Sequence, residues 1–460
     1  MKYSKKYIST LFFTLALVST QLGAQNFKNT QQKVQLEDGD TFVFIGNSIT
    51  HQCAYTQYVE DFFYTRYPDK KLSIVNAGVS GDFAGDVLKR LEEDVLKHQP
   101  KYASILIGMN DGEYARWNDT IFNTYKRDML ELTQKLVNAQ VKPLLLTPTI
   151  FDTHQALLGE NWVDKEKIPN MHYDAVLAYF GAWCLEQANL RGYGYADLHG
   201  YLTHYTREAR KKDADFTFIP DAVHPEYDGQ LIMAVALLEG MGVDTMVSEI
   251  EVVKKEGLWN YASKNGILSN EKSEALEFDF KANALPWVVP ADAQYAYNLT
   301  NADSRLGLEI IRVVGLEYGN YHVIIDNITV GTYSHMDLAK GVELQNNPRT
   351  PQYRQALAVA ELNKKRNEEV IEKIRDEWLL RKGLANPELM EEEEEEEDLS
   401  GDPEHQRYLR LREIGYERYV QDKFSKVIQE LETKSKIMVD AIYEINQPKT
   451  LHYSVVRADK

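Results

Sequence analysis

The feature that most constrains this chain is a rhythm of short apolar runs that each halt at a polar or glycine block and give way to a helical spacing. Thr41-Phe-Val-Phe-Ile45 stops at Gly46, Leu72-Ser-Ile-Val75 at Asn76, and Ser104-Ile-Leu-Ile107 at Gly108. Val141-Lys-Pro-Leu-Leu-Leu146 forms a fourth run, and Tyr193-Gly-Tyr-Ala196 a weaker fifth. Between them, residues 52–67, 84–98, 121–139 and 171–187 space their apolar side chains as helices do. Strand-like runs too short and too apolar to face water, alternating with helices, predict a parallel sheet covered on both faces. Such sheets bind ligands beyond the carboxyl ends of their strands. Ser48, Gly81 and Asn110 all follow run ends, so this topology gathers them on one rim.

The blocks carry chemistry as well as turns. In order they are Gly46-Asn47-Ser48, Ser80-Gly81-Asp82, Gly108-Met109-Asn110-Asp111 and Asp221-Ala-Val-His224-Pro225. A serine hydroxyl is a weak nucleophile until a base takes its proton, and His224 is the candidate base. Asp221 lies three residues earlier, a spacing that in a turn lets a carboxylate meet Nδ1 and hold Nε2 toward Ser48. Attack on an ester builds an oxyanion that needs donors already in place. The Ser48 N–H at a helix start, the Gly81 N–H and the Asn110 amide are the candidates. Taken singly, each block is ordinary turn chemistry; four in this order make a parts list for acyl transfer. His51, one helical turn past Ser48, is a candidate substrate contact, with helix packing or capping as the plainer role. Asp82 and Asp111 are expected to stabilise their loops rather than bind metal.

These four blocks resemble those of the SGNH or GDSL-type esterases and lipases. The resemblance spans residues 38–245. It implies a flavodoxin-like three-layer α/β/α hydrolase domain with a parallel sheet, Ser48 as nucleophile, His224 as general base and Asp221 as its orienter. It also implies Ser48, Gly81 and Asn110 as the oxyanion hole. The chain departs from the family's pattern at Asn47, where the family name calls for Asp. Because the residue before the nucleophile carries no proton, a local hydrogen-bonding difference is expected there rather than lost activity. No metal, nucleotide or flavin is called for, and no cofactor is expected.

A chain of 460 residues exceeds one ordinary core. Residues 1–24 read as a signal peptide: Lys2, Lys5 and Lys6 precede an apolar stretch over 7–18, and Gly23-Ala24 offers a small-residue cleavage site. The expected setting is therefore secreted or periplasmic and bacterial, with no membrane span once the leader is removed; an uncleaved anchor is the alternative. Export permits disulfides, but Cys53 and Cys184 alone make no scaffold, and Cys53 is expected to be a buried, inert thiol. A formal charge of −18 disfavours nucleic acid, which needs clustered Lys and Arg. Downstream, residues 270–345 read as a small antiparallel β unit and 351–460 as a charged, helical extension, with an acidic linker over 391–398. The polar balance and the implied export favour an acylated carbohydrate or small molecule as substrate, acetyl being the expected acyl group. A lipase or lysophospholipase is the alternative, and a catalytically silent binding or scaffold protein the third reading. Oligomeric state is not legible.

Overall fold

The structure is a computed structural model that describes residues 33–159, 167–385, 421–422 and 425–458. The leader over 1–24 and the acidic run over 391–398 lie outside the described residues.

Five strands form the central sheet: β1 (Thr41–Gly46), β2 (Ser73–Gly78), β3 (Tyr102–Leu106), β4 (Lys142–Leu146) and β5 (Gly194–Ala196). All are parallel, in the order β2-β1-β3-β4-β5. Phe42, Val43, Phe44 and Ile45 are all buried, as they must be in a strand with helices on both sides. The helices Ala54–Arg66, Leu198–Arg210 and Tyr227–Met241 pack together as one layer, and Ala84–Arg90 with Asp119–Asn138 belongs to the other. This is the flavodoxin-like three-layer arrangement. Chain order reverses at β1, which pairs with β2 on one side and β3 on the other, so the crevice opens where Ser48 follows β1.

The β region is larger than residues 270–345 and is not purely antiparallel. It starts at β6 (Met246–Lys255) and continues through β7 (Leu258–Lys264), β8 (Gly266–Ser269), β9 (Glu277–Ala282), β10 (Leu308–Val314), β11 (Asn320–Ile325), β12 (Ile328–Ser334) and β13 (Val342–Glu343). Its last strand, β14 (Leu451–Arg457), comes from the end of the chain. Two sheets result, β13-β10-β6-β7 and β12-β11-β14-β9-β8, and β6 pairs with β10 in parallel. Ile250, Val252, Ile311 and Val313 of the first sheet meet Phe278, Phe280, Val323, Ile325, Tyr453 and Val455 of the second in one sandwich core. Alternating exposure along Leu258–Lys264 keeps β7 too polar to announce itself, and β14 is a strand because β9 and β11 leave a gap for it.

Residues between the sandwich strands return to the first core. Trp287 is fully buried there, donates Nε1–H to the carbonyl of Tyr58 at 3.1 Å and meets Phe62 edge to face. The C-terminal helices Pro351–Arg366, Glu372–Ala385 and Ser425–Ile445 also lie on the hydrolase layers, so the tail is helical only up to Ile445. Glu60, fully buried, accepts from Arg366, Asn363 and Asn367 at 2.8–3.0 Å. Arg375 grips Asp94 with both terminal nitrogens at 2.9–3.1 Å. Accordingly, the described residues, all within 33–458, belong to one compact unit by their contacts, the sandwich and the C-terminal helices included. Among the described residues no helix is long and apolar enough to cross a membrane.

Candidate active site

The site is built on the carboxyl ends of β1 and β2. Beyond Gly46 the chain turns at once into the short helix Ser48–His51, capped by Asn47, whose Oδ1 accepts from the Ile49 N–H at 3.1 Å. Asn performs this capping as well as Asp would, which accounts physically for the departure at this position. The helix lies so close over the strand ends that a Cβ on Gly46 would meet Thr50 Oγ1 at 1.9 Å, and one on Gly78 the His51 nitrogen at 2.4 Å. These two glycines are what allow Ser48 to crown the sheet.

His224 approaches from the loop before the helix Tyr227–Met241. Asp221 Oδ1 accepts from the Val223 and His224 N–H groups at 2.9 and 2.7 Å, winding the loop around the carboxylate. The turn places Ala222 at φ +71°, a left-handed backbone that a non-glycine residue adopts only when its surroundings enforce it. Asp221 Oδ2 lies 2.6 Å from His224 Nδ1, and His224 Nε2 lies 2.8 Å from Ser48 Oγ. With Nδ1–H donating to the carboxylate, Nε2 is the accepting nitrogen that faces the hydroxyl. Burial alone would raise the Asp221 carboxyl. The bonds from the His224 ring, from its N–H and from Val223 outweigh that and hold it below the ordinary carboxylate range.

Gly81, in the turn after β2, takes φ +71°, a conformation suited to glycine. Asn110 spends one amide hydrogen on the Asp82 carbonyl at 3.0 Å and receives Tyr114 O–H at its Oδ1 at 3.3 Å, which leaves its second amide hydrogen for a ligand. Asp111 Oδ1 accepts the Ala84 N–H at 2.8 Å, so it ties the third block to the second. Burial pushes the Asp111 carboxyl up to about 7. Asp82 is fully buried between Arg90 at 2.8 Å and Lys382 at 2.9 Å. Both aspartates thus hold their loops.

His51 is buried. Its Nδ1 accepts from the Ser80 N–H at 3.3 Å and sits 3.2 Å from Ser80 Oγ, while Nε2 lies 3.4 Å from Asp376 Oδ1. Both ring nitrogens are spent inside the protein, which leaves the substrate-contact expectation without a free donor or acceptor and favours the packing role. Cys53 is buried, caps the helix Ala54–Arg66 at φ +65° and donates its thiol to the His51 carbonyl; burial pushes that thiol up. Sequence reasoning missed three positions. Gln230 joins the two halves of the site, donating to Gln52 Oε1 at 2.6 Å and to the Pro225 carbonyl at 3.2 Å while accepting from the Tyr55 N–H. Asp376 and Lys382 arrive from more than 300 residues beyond Ser48, and no local pattern marks them.

Residues 44–232 match the family model of the GDSL-like lipase/acylhydrolase family. An acetylxylan esterase of Geobacillus stearothermophilus is 32% identical over 235 residues, an alignment taking in 46% of this chain and 98% of that relative. Over nearly the whole length, a solved structure of a gut microbial diltiazem-metabolizing enzyme superposes with a TM-score of 0.76 at 23% identity, covering 93% of this chain and 100% of that one. At that identity the likeness speaks for the fold, and it takes in the sandwich and the C-terminal helices as well as the central sheet. The strand order, the four blocks and a relative matched almost end to end agree, and this chain belongs to the GDSL-like lipase/acylhydrolase family, as a carboxylic ester hydrolase.

Proposed function

We propose that this protein is an exported serine esterase that removes small acyl groups, chiefly acetyl, from carbohydrate through an acyl-enzyme. The observation that carries the reading is the unbroken line from Asp221 Oδ2 to His224 Nδ1 at 2.6 Å and from His224 Nε2 to Ser48 Oγ at 2.8 Å. His224 takes the Ser48 proton as Oγ bonds to the acyl carbon, and Asp221 steadies the imidazolium that results. The N–H groups of Ser48 and Gly81 and the Asn110 amide receive the oxyanion. Collapse of this intermediate breaks the bond to the alcohol, which leaves with the proton from His224. Water, deprotonated by the same imidazole, then releases the carboxylic acid and restores Ser48. The sugar preference is supported by the relative that acts on acetylated xylan by its name, and export by the basic and apolar leader.

Acetate release from acetylated xylo-oligosaccharides, beside nitrophenyl esters of rising chain length, tests the reading. Activity should be highest on short acyl groups. Ser48→Ala and His224→Ala should each lower kcat by roughly 10⁴- to 10⁶-fold with folding intact. Rates that climb with chain length would establish a lipase instead, and full turnover by Ser48→Ala would defeat the mechanism.

A further inference from the structure

The peptide unit that presents the Gly81 N–H is gripped at its other end by the C-terminal region. Lys382, on the helix Glu372–Ala385, donates from Nζ to the Ser80 carbonyl at 3.4 Å and pairs with Asp82 Oδ1 at 2.9 Å and Asp86 Oδ2 at 3.5 Å. The Ser80 carbonyl and the Gly81 N–H belong to one planar trans peptide and point in opposite directions. Whatever anchors the carbonyl therefore decides where the N–H is aimed. A side chain on Gly81 would begin 3.5 Å from the Lys382 ammonium, so the cation stands directly beside this loop. On the preceding peptide, His51 Nδ1 accepts the Ser80 N–H, and its Nε2 faces Asp376 of the same C-terminal helix at 3.4 Å. Trp378 of that helix packs in one apolar cluster with Cys53 and Val79, next to both grips.

We propose that Lys382 is a positioning residue for ester hydrolysis: by holding the Ser80 carbonyl it aims and polarises the Ser80–Gly81 peptide so that Gly81 N–H donates to the oxyanion. A cation on a carbonyl draws electron density through the amide and strengthens its N–H as a donor. The inference rests on Gly81 being an oxyanion donor, as in the reading above. Removing such a donor outright costs on the order of 10²- to 10³-fold in kcat, and losing its alignment costs less. The same lysine also balances the buried Asp82 charge. A purely structural role is separated from a positioning one by kinetics.

The test is Lys382→Cys in the full-length protein, assayed by acetate release. The expected result is a fall in kcat of about 10- to 100-fold, with KM within about threefold of wild type. A boronic acid that forms a tetrahedral adduct on Ser48 should lose affinity by a similar factor, while acetate binding stays unchanged. Aminoethyl methanethiosulfonate, which restores an ammonium at the position, should recover most of kcat, and methyl methanethiosulfonate should not. Cys53 and Cys184 are buried, so the reagents report on position 382, with wild type treated in parallel. An unchanged kcat, or recovery by both reagents alike, would overturn the proposal. Should Lys382→Cys fail to fold, folded Lys382→Gln takes its place, and wild-type kcat in that variant would overturn it equally. Ser48→Ala in the same assay separates the two levels. If it retains activity, the serine mechanism itself falls; if it is dead while the Lys382 variants are fully active, only the lysine's role falls.

Discussion

At the scale of residues, the site is a set of short-range turns whose side chains cannot serve elsewhere. The carboxylate of Asp221 is consumed by its own loop, with three donors from Val223 and His224. Asp221→Ala should therefore loosen the loop and leave the imidazole unoriented. Its kcat should fall roughly 10³- to 10⁴-fold, less than for Ser48→Ala or His224→Ala. Equal rates for that variant and wild type would remove Asp221 from the mechanism. Asp111 supplies a pH test. Burial lifts its carboxyl to about 7 from an ordinary 3.8, so the folded protein keeps a proton that the unfolded chain releases. Stability that this group confers at low pH is consequently lost as pH rises from about 4 to about 7. Asp111→Asn, which stays neutral and still accepts from Ala84, should gain in melting temperature relative to wild type across that window, by on the order of a few degrees. A difference that is flat with pH would contradict the burial argument.

Among the elements, the contacts between the C-terminal helices and the hydrolase layers are buried and charged. Arg366 Nη1 meets Glu60 Oε2 at 3.0 Å with both side chains almost wholly out of water. Breaking such a pair from one side leaves an uncompensated charge, so Glu60→Ala should cost about 3–5 kcal/mol in urea unfolding. A loss under about 1 kcal/mol would mean that water enters and solvates Arg366. The central strands were legible because each is a run of apolar residues ended by a turn signal. The helix expected over 84–98 is regular only through Arg90, then widens over Leu91–Val95, where Arg90 and Arg375 both converge on Asp94. Spacing of apolar residues carries no trace of that distortion, and Arg375, which meets Asp94 there, lies on a helix more than 280 positions later.

For the molecule as a whole, β14 is the strand that locks the chain closed. It lies between β11 and β9 at the middle of its sheet, pairing with both. A chain stopped after Thr450 would expose two unpaired edges and open the core around Tyr453 and Val455. Such a truncation is expected to lose cooperative unfolding and to aggregate; a melting curve matching wild type would refute this. The extent of the sandwich was illegible because β6 and β7 carry polar outer faces and β14 follows a long helix. Sheet membership is decided by partners, and those are far away in sequence.

What the amino-acid order determined by itself was local: the strand ends, the glycine turns, the Asp221–His224 loop and the Asn47 cap each follow from neighbours a few positions apart. Those pieces suffice for the doubly covered sheet and for the residues proposed above as nucleophile, base and orienter. Only the tertiary structure decided that His51 is spent on Ser80, that Gln230 ties the loop after Ser48 to the loop after His224, and that Asp376 and Lys382 meet His51 and Asp82. The physical reason is that each of these is a polar contact between distant segments. Its energy depends on burial and alignment, and neither exists until the apolar layers have packed.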